Sequence, residues 1–472
     1  MRKFAKIAAA VLLVSLAAMP GFAARGAADF SRLVILGDSY GAGVVSGSLN
    51  DVHQPYSWAA FLARQTGYTL CDGKSVAATP CFAIPLVSYP GLGPELKLLD
   101  LSGNIAPAAG SGEPYMTTFA RPYNNLSIPG ANVGDIMTLT GAQPATSTAR
   151  AMAQFILRGQ GTAIDQALVQ KPSFVALWLG GNDFLGAVLA GTPAVLTPTA
   201  TFKTNYEALL DKIVAGAPSA GVVVGSLPET ANVPYVTTVP PFIVDPATRQ
   251  PVLGPDGKPI YYVADLGGGN FGQLPAGSFV VLNAMTKLRT GYGVPAAMKP
   301  FPPFNQMPNV GTPLADTDVI TPTEMATILA RVKEFNKVIT DAAGARNIPV
   351  ADIKGLFDRV AAPGGITVGP INVTNAFVTG GFFSFDGFHL TDLGYLLFAN
   401  EYIKAINNAY GTKVPLASIT QIFSNNGAWF PETSANAAGF VLTSAAADQL
   451  KAMWATQANP VPAPARRRSS GR

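Results

Sequence analysis

Four consecutive aliphatic residues, Leu33-Val34-Ile35-Leu36, run directly into Gly37-Asp38-Ser39-Tyr40-Gly41. An apolar run without polar alternation suits a strand buried on both faces, the situation of a parallel sheet covered by helices on each side. Two later runs repeat the pattern. Phe174-Val175-Ala176-Leu177-Trp178-Leu179 ends at Gly180-Gly181-Asn182-Asp183, and Gly221-Val222-Val223-Val224-Gly225 leads to Leu227-Pro228. Asn124 to Ala131 adds a short strand that ends in Pro129-Gly130, and Ile348 to Ile353 adds another. Apolar residues at helical spacing mark helices over 56–65, 202–214, 322–343 and 391–407, with a further one opening at 133–139. Strand-then-helix alternation predicts an α/β fold on a central parallel sheet. Ligands of such sheets bind past the carboxyl ends of the strands, which is where Ser39 stands.

The chain of 472 residues carries two stretches that interrupt this alternation. Residues 69–122 are broken by glycine and proline, and residues 234–318 are rich in proline, glycine and aromatics. A structureless loop of that length is improbable in a compact domain, so both read as folded insertions. In the second, Asp256-Gly257 reads as the turn of a hairpin that returns along Pro259 to Val263. Its Tyr235, Phe242, Ile243, Tyr261, Tyr262, Phe271, Phe301 and Phe304 are expected in part to line an apolar pocket. Packing a small core of the insertion's own is the alternative.

Residues 1–23 combine Arg2, Lys3 and Lys6 with an apolar run from Ile7 to Met19 and small residues at the cleavage site, the pattern of a secretory signal peptide. No later stretch reads as a membrane helix, so a secreted or periplasmic protein is expected. Cys71 and Cys81 are the only two cysteines, and in an oxidising compartment they are expected to form a disulfide. Three basic residues lie in the N-terminal segment and four more, Arg466, Arg467, Arg468 and Arg472, near the other end. That leaves 25 basic against 28 acidic residues in the body, which excludes the basic face that nucleic-acid binding needs. Charged residues are 13% of the chain, about half the ~25% of typical soluble domains, which suggests small or lipid-like neutral partners. Residues 411–457 read as an extension of unknown role, and 458–472 as a disordered, proline-rich and arginine-rich tail.

The chain has two histidines, so a histidine base must be His53 or His389. His389 follows Asp386 by three residues at a strand-to-helix junction. An acyl-transfer serine needs a base to take its proton, and the base needs a carboxylate to fix its tautomer. Asp386 and His389 supply both from one segment, whereas His53 sits in a polar loop and reads as a surface residue. Asp38 and Asp183 read as aspartates that bond nearby backbone. No cluster has metal-ligand spacing and there is no phosphate loop with a lysine, so no cofactor is implied.

These residues resemble the SGNH hydrolases, the GDSL esterases and lipases. Gly37-Asp38-Ser39-Tyr40 is similar to the family's nucleophile block, with tyrosine where leucine is commoner. Gly130 and Asn182 match the glycine and asparagine of the second and third blocks, and Asp386 with His389 matches the last. The resemblance implies a flavodoxin-like three-layer α/β/α fold over residues 24–410 with two long insertions. It also implies Ser39 as nucleophile, His389 as base with Asp386 behind it, and an oxyanion hole from the Ser39 and Gly130 N–H groups and the Asn182 amide. The expected activity is hydrolysis of carboxylic esters through an acyl-serine. The apolar insertions favour lipid-like acyl esters; a carbohydrate acetyl esterase and a non-catalytic binder on the same fold are the alternatives.

Overall fold

The structure is a computed structural model and describes residues 24–72, 81–100, 104–115, 121–245 and 248–423. The expected signal peptide, the extension beyond residue 423 and the C-terminal tail lie outside the described residues.

Strands β1 (Leu33–Gly37), β2 (Phe174–Trp178), β3 (Gly221–Gly225) and β4 (Val350–Ala351) form a parallel sheet in that order. Leu33 pairs with Phe174 and Phe174 with Gly221, so the three long strands run in step and end together. Every residue of β1, β2 and β3 is buried, as their unbroken apolar runs require. Residues 124–128 line the free side of β1. The Leu126 N–H donates to Ile35 O and the Ile128 N–H to Gly37 O, each at 2.9 Å. With this segment counted, the order is that of a flavodoxin-like sheet, with the chain reversing direction between β1 and β2.

Helices cover both faces and complete a three-layer α/β/α fold. One group comprises α1 (Ser39–Ala42), α2 (Trp58–Gln65), α8 (Ile353–Ala361) and α9 (Asp392–Tyr410); the other comprises α4 (Ala163–Val169), α6 (Thr199–Gly216) and α7 (Pro322–Gly344). Between them in sequence lie α3 (Thr148–Leu157) and α5 (Asn182–Ala190). The start of α7 is written locally. Pro322 takes the first helical position, and Thr321 and Glu324 form a reciprocal capping box. The helix expected over 133–139 is only the single turn Asp135–Thr138. Gly134 in place of a capping side chain and the extended Leu139 leave it nothing to propagate from. No described helix is long and apolar enough to cross a membrane.

The second insertion does turn at Asp256-Gly257. Gly254 N–H donates to Lys258 O at 2.8 Å, and Ile260 N–H to Val252 O at 2.9 Å. Ile243, Val294 and Val310 form a separate small core there, with Tyr262 and Phe304 packed against it. Cys71 and Cys81 are disulfide-bonded, beside the Arg121 guanidinium that donates to the Cys81 carbonyl. Thiol titration of the unfolded, unreduced protein is therefore expected to find no free cysteine. Cys71→Ser should lower the unfolding free energy by roughly 2–3 kcal/mol in chemical denaturation, the entropy of a loop of this length; an unchanged midpoint and slope would refute that role.

Candidate active site

β1 delivers Ser39 to the first position of α1, with Asp38 capping the helix by accepting the Tyr40 N–H at 3.0 Å. The turn is tight because Gly41 lies against the neighbouring edge segment, where a Cβ would stand 2.2 Å from Ser127 Oγ. Across the crevice, the turn that follows β2 leads to Asn182, the first residue of α5. Ser39 and Asn182 line one cleft together with Asp38, Tyr40, Trp178 and Phe388.

Asp386 and His389 come together as the spacing predicts. His389 Nδ1 lies 2.7 Å from Asp386 Oδ2, and both residues are buried. With Nδ1 engaged, Nε2 is the free nitrogen, and it has no partner among the described residues. The backbone N–H groups of Phe388 and His389 donate to Asp386 Oδ1 at 3.1 and 2.9 Å, and Gly47 N–H donates to Oδ2 at 2.7 Å. Burial opposes a charge on Asp386, but His389 and these donors outweigh it and hold the carboxyl below the ordinary aspartate value.

The contact between the nucleophile turn and the acid–base segment runs largely through Tyr40, a residue that sequence reasoning passed over as a variant of leucine. Its hydroxyl donates to Phe388 O, and its ring stacks on Trp178 at 4.7 Å and lies 5.8 Å from the His389 ring. The signal was present in the tyrosine itself, since a buried phenol must find an acceptor.

Gly130 adopts φ +83°, a conformation glycine takes without strain. Neither its N–H nor that of Ser39 has an acceptor among the described residues, so both are available as donors. Asn182 is more constrained. Its Nδ2 donates to Ala131 O at 2.9 Å and lies 3.4 Å from Asp38 Oδ2. The second contact is long and weak, so this hydrogen can be turned to a substrate at little cost. Asp38 favours that arrangement by being neutral: burial pushes its carboxyl up to about 8, against the Tyr40 N–H and helped by the nearby Asp183. Asp183 binds backbone as expected, accepting the Val133 N–H at 3.1 Å.

Two expectations fail. His53 is not a surface residue: its side chain is 13% exposed, with Nδ1 2.9 Å from Asp392 Oδ1 and Nε2 3.5 Å from Glu95 Oε1. Burial disfavours its charge, but the two carboxylates prevail and raise its pKa to about 10, so it is an imidazolium at neutral pH and unsuited to be a base. The sequence hid this because both partners are remote in the chain. The aromatics of the second insertion, moreover, do not line the Ser39 cleft. The insertion's first turn packs behind the cleft, with the Tyr235 ring edge-on to Phe388 at 5.8 Å. The apolar walls are Phe184, Leu185, Val233 and Phe388, and the cleft holds about 40 Å³. A larger cleft of about 580 Å³, between Asp265, Phe271, Lys287 and Asp316, includes none of the expected catalytic residues.

A serine turn, a histidine–aspartate pair and two unengaged N–H groups thus lie at the carboxyl end of the sheet. A family model for GDSL-like lipases and acylhydrolases matches residues 33–265, and that stretch of the chain belongs to the family. No curated protein matches it. Solved structures with low overall similarity include an extracellular lipase from Streptomyces rimosus, 15% identical over 80% of this chain and 98% of that one with TM-score 0.32. Phospholipase A1 from Streptomyces albidoflavus NA297 is 15% identical over 82% and 100%, TM-score 0.32. A family 3 carbohydrate esterase from Clostridium thermocellum is 12% identical over 80% and 96%, TM-score 0.30.

The neutral Asp38 gives a pH signature. A carboxyl whose folded pKa of about 8 lies above its unfolded value of 3.8 stabilises the fold fully below the lower value and loses that contribution as pH rises through the upper one. In thermal melts from pH 4 to 9, Asp38→Asn should therefore gain steadily on the wild type as pH rises from 4 towards 8, and the advantage should level off above that. A constant difference across the range would refute a neutral Asp38.

Proposed function

We propose that the protein is an exported serine esterase that hydrolyses carboxylic esters of short acyl chains through an acyl-serine intermediate. The observation that carries this reading is the His389–Asp386 pair with Nε2 free, tied through Tyr40 to the residue next to Ser39. In this mechanism Ser39 Oγ attacks the ester carbonyl while His389 Nε2 takes its proton. The imidazolium is stabilised by Asp386 through Nδ1. The developing oxyanion accepts from the Ser39 and Gly130 N–H groups and from the Asn182 amide, where one such donor is worth about 3–4 kcal/mol. Collapse expels the alcohol, which takes the proton from Nε2. A water deprotonated by the same nitrogen then attacks the acyl-serine, releasing the acid and restoring Ser39.

The acyl preference follows from space. About 40 Å³ beside Ser39 is room for roughly three waters at the ~10–15 Å³ that each needs, which fits a short acyl group within these walls better than a long chain. The lipid-like substrate suggested by composition is thus less favoured than an acetyl or similarly short ester, including acetylated sugars whose alcohol part extends into solvent. A panel of p-nitrophenyl esters and acetylated sugars tests this: kcat/KM should fall at least tenfold from acetate to palmitate. A preference for the long chain would overturn it.

Ser39→Ala and His389→Ala should each lower kcat by about 10³-fold or more, and the double variant by little more than either, because the two act as one unit. Asp386→Asn should retain more activity. Full turnover in His389→Ala would reject the assignment.

A further inference from the structure

His53, Asp392 and Glu95 form a largely buried charged cluster to which the hydrolytic mechanism assigns no task. Asp392 is the first residue of α9, and its side chain is 1% exposed. His53 Nδ1 contacts both of its oxygens, at 2.9 and 3.2 Å, while Nε2 reaches Glu95 in the first insertion at 3.5 Å. Glu95 is in turn held by the Asn50 amide at 3.3 Å. Arg64 faces Asp392 from α2, and Lys97 faces Glu95.

His389 lies midway between two anchored aspartates, Asp386 three residues before it and Asp392 three residues after. Both anchors come from the stretch that follows Ser39. Gly47 N–H holds Asp386, Ser46 N–H donates to Ser384 Oγ at 2.8 Å, and His53 holds Asp392. The bonds to Ser384, Asp386 and Phe388 hold the chain before His389, and the His53 bond to Asp392 holds the chain after it, so the imidazole is fixed from both sides. We infer that His53 is a positioning residue for His389, a buried cation that clamps the first turn of α9 to the segment following Ser39. Displacing a reacting group by about 1 Å can cost on the order of a hundredfold in rate, so the clamp acts on kcat.

The inference rests on the ester-hydrolase reading and is tested with the full chain. Active sites are counted with a serine-reactive phosphonate, and kcat per counted site is followed on p-nitrophenyl acetate from pH 6 to 10.5. His53→Gln should lower kcat per site about tenfold or more, with KM changed less than twofold. It should also lose the alkaline fall that the wild type shows as the imidazolium deprotonates near pH 10. Glu95→Gln leaves the Asp392 contact in place and serves should His53→Gln not fold; by removing one carboxylate it should move the alkaline fall to lower pH. Equal kcat per site in His53→Gln and wild type, or an alkaline fall that Glu95→Gln leaves unmoved, overturns the clamp. Failure of the ester-hydrolase reading would show differently, as a wild type that neither takes the phosphonate nor turns over ester.

Discussion

Asp386 is a buried carboxylate whose charge the fold must satisfy, and the arrangement of the site follows from how it does so. A charge taken out of water is costly unless paired and hydrogen-bonded. Asp386 receives its own segment's N–H groups, the His389 ring, and one donor from Gly47, 339 residues away in sequence. The last fixes the acid–base segment to the stretch that follows the serine. The turn that presents it has Ser46 at φ +53° and Gly47 at φ +76°. Its Ser46 hydroxyl also accepts the Phe385 N–H, so both ends of the contact are held.

Other ties run alongside it. Tyr40 reaches Phe388, Tyr395 donates to Val44 O at 2.6 Å, and His53 reaches Asp392. The parallel sheet carries the rest of the site independently: because β1 and β2 run in step and end together, Ser39 and Asn182 leave the sheet at the same level. The sheet thus places Ser39 relative to Asn182, and polar contacts between loops place His389 relative to Ser39. The first depends on a cooperative core, the second on a few polar contacts of about 1 kcal/mol each.

Asp38 and His53 show opposite outcomes of burying an ionisable group beside this site. Asp38 has a carboxyl neighbour, Asp183, and no cation, so burial leaves it neutral. His53 is buried between two carboxylates and stays charged. Neither could be assigned from its sequence neighbours, which are a glycine turn in one case and a polar loop in the other.

The sequence by itself determined the elements and the local chemistry. Continuous apolar runs could only be strands covered on both faces, and Asp386 with His389 could be paired because three residues at a helix entrance bring their side chains within reach. The serine turn was legible from its glycines, whose tolerance of close approach is a property of the residue. Tertiary structure alone decided what lies across the chain from each group. It converted His53 from a loop residue into a largely buried cation, gave Tyr40 its acceptor, and sent Tyr262 and Phe304 of the second insertion to a separate small core while leaving Phe271 and Phe301 exposed. These depend on partners from tens to hundreds of residues away, and local pattern carries no information about such pairings because they are set by how the layers pack and not by spacing along the chain.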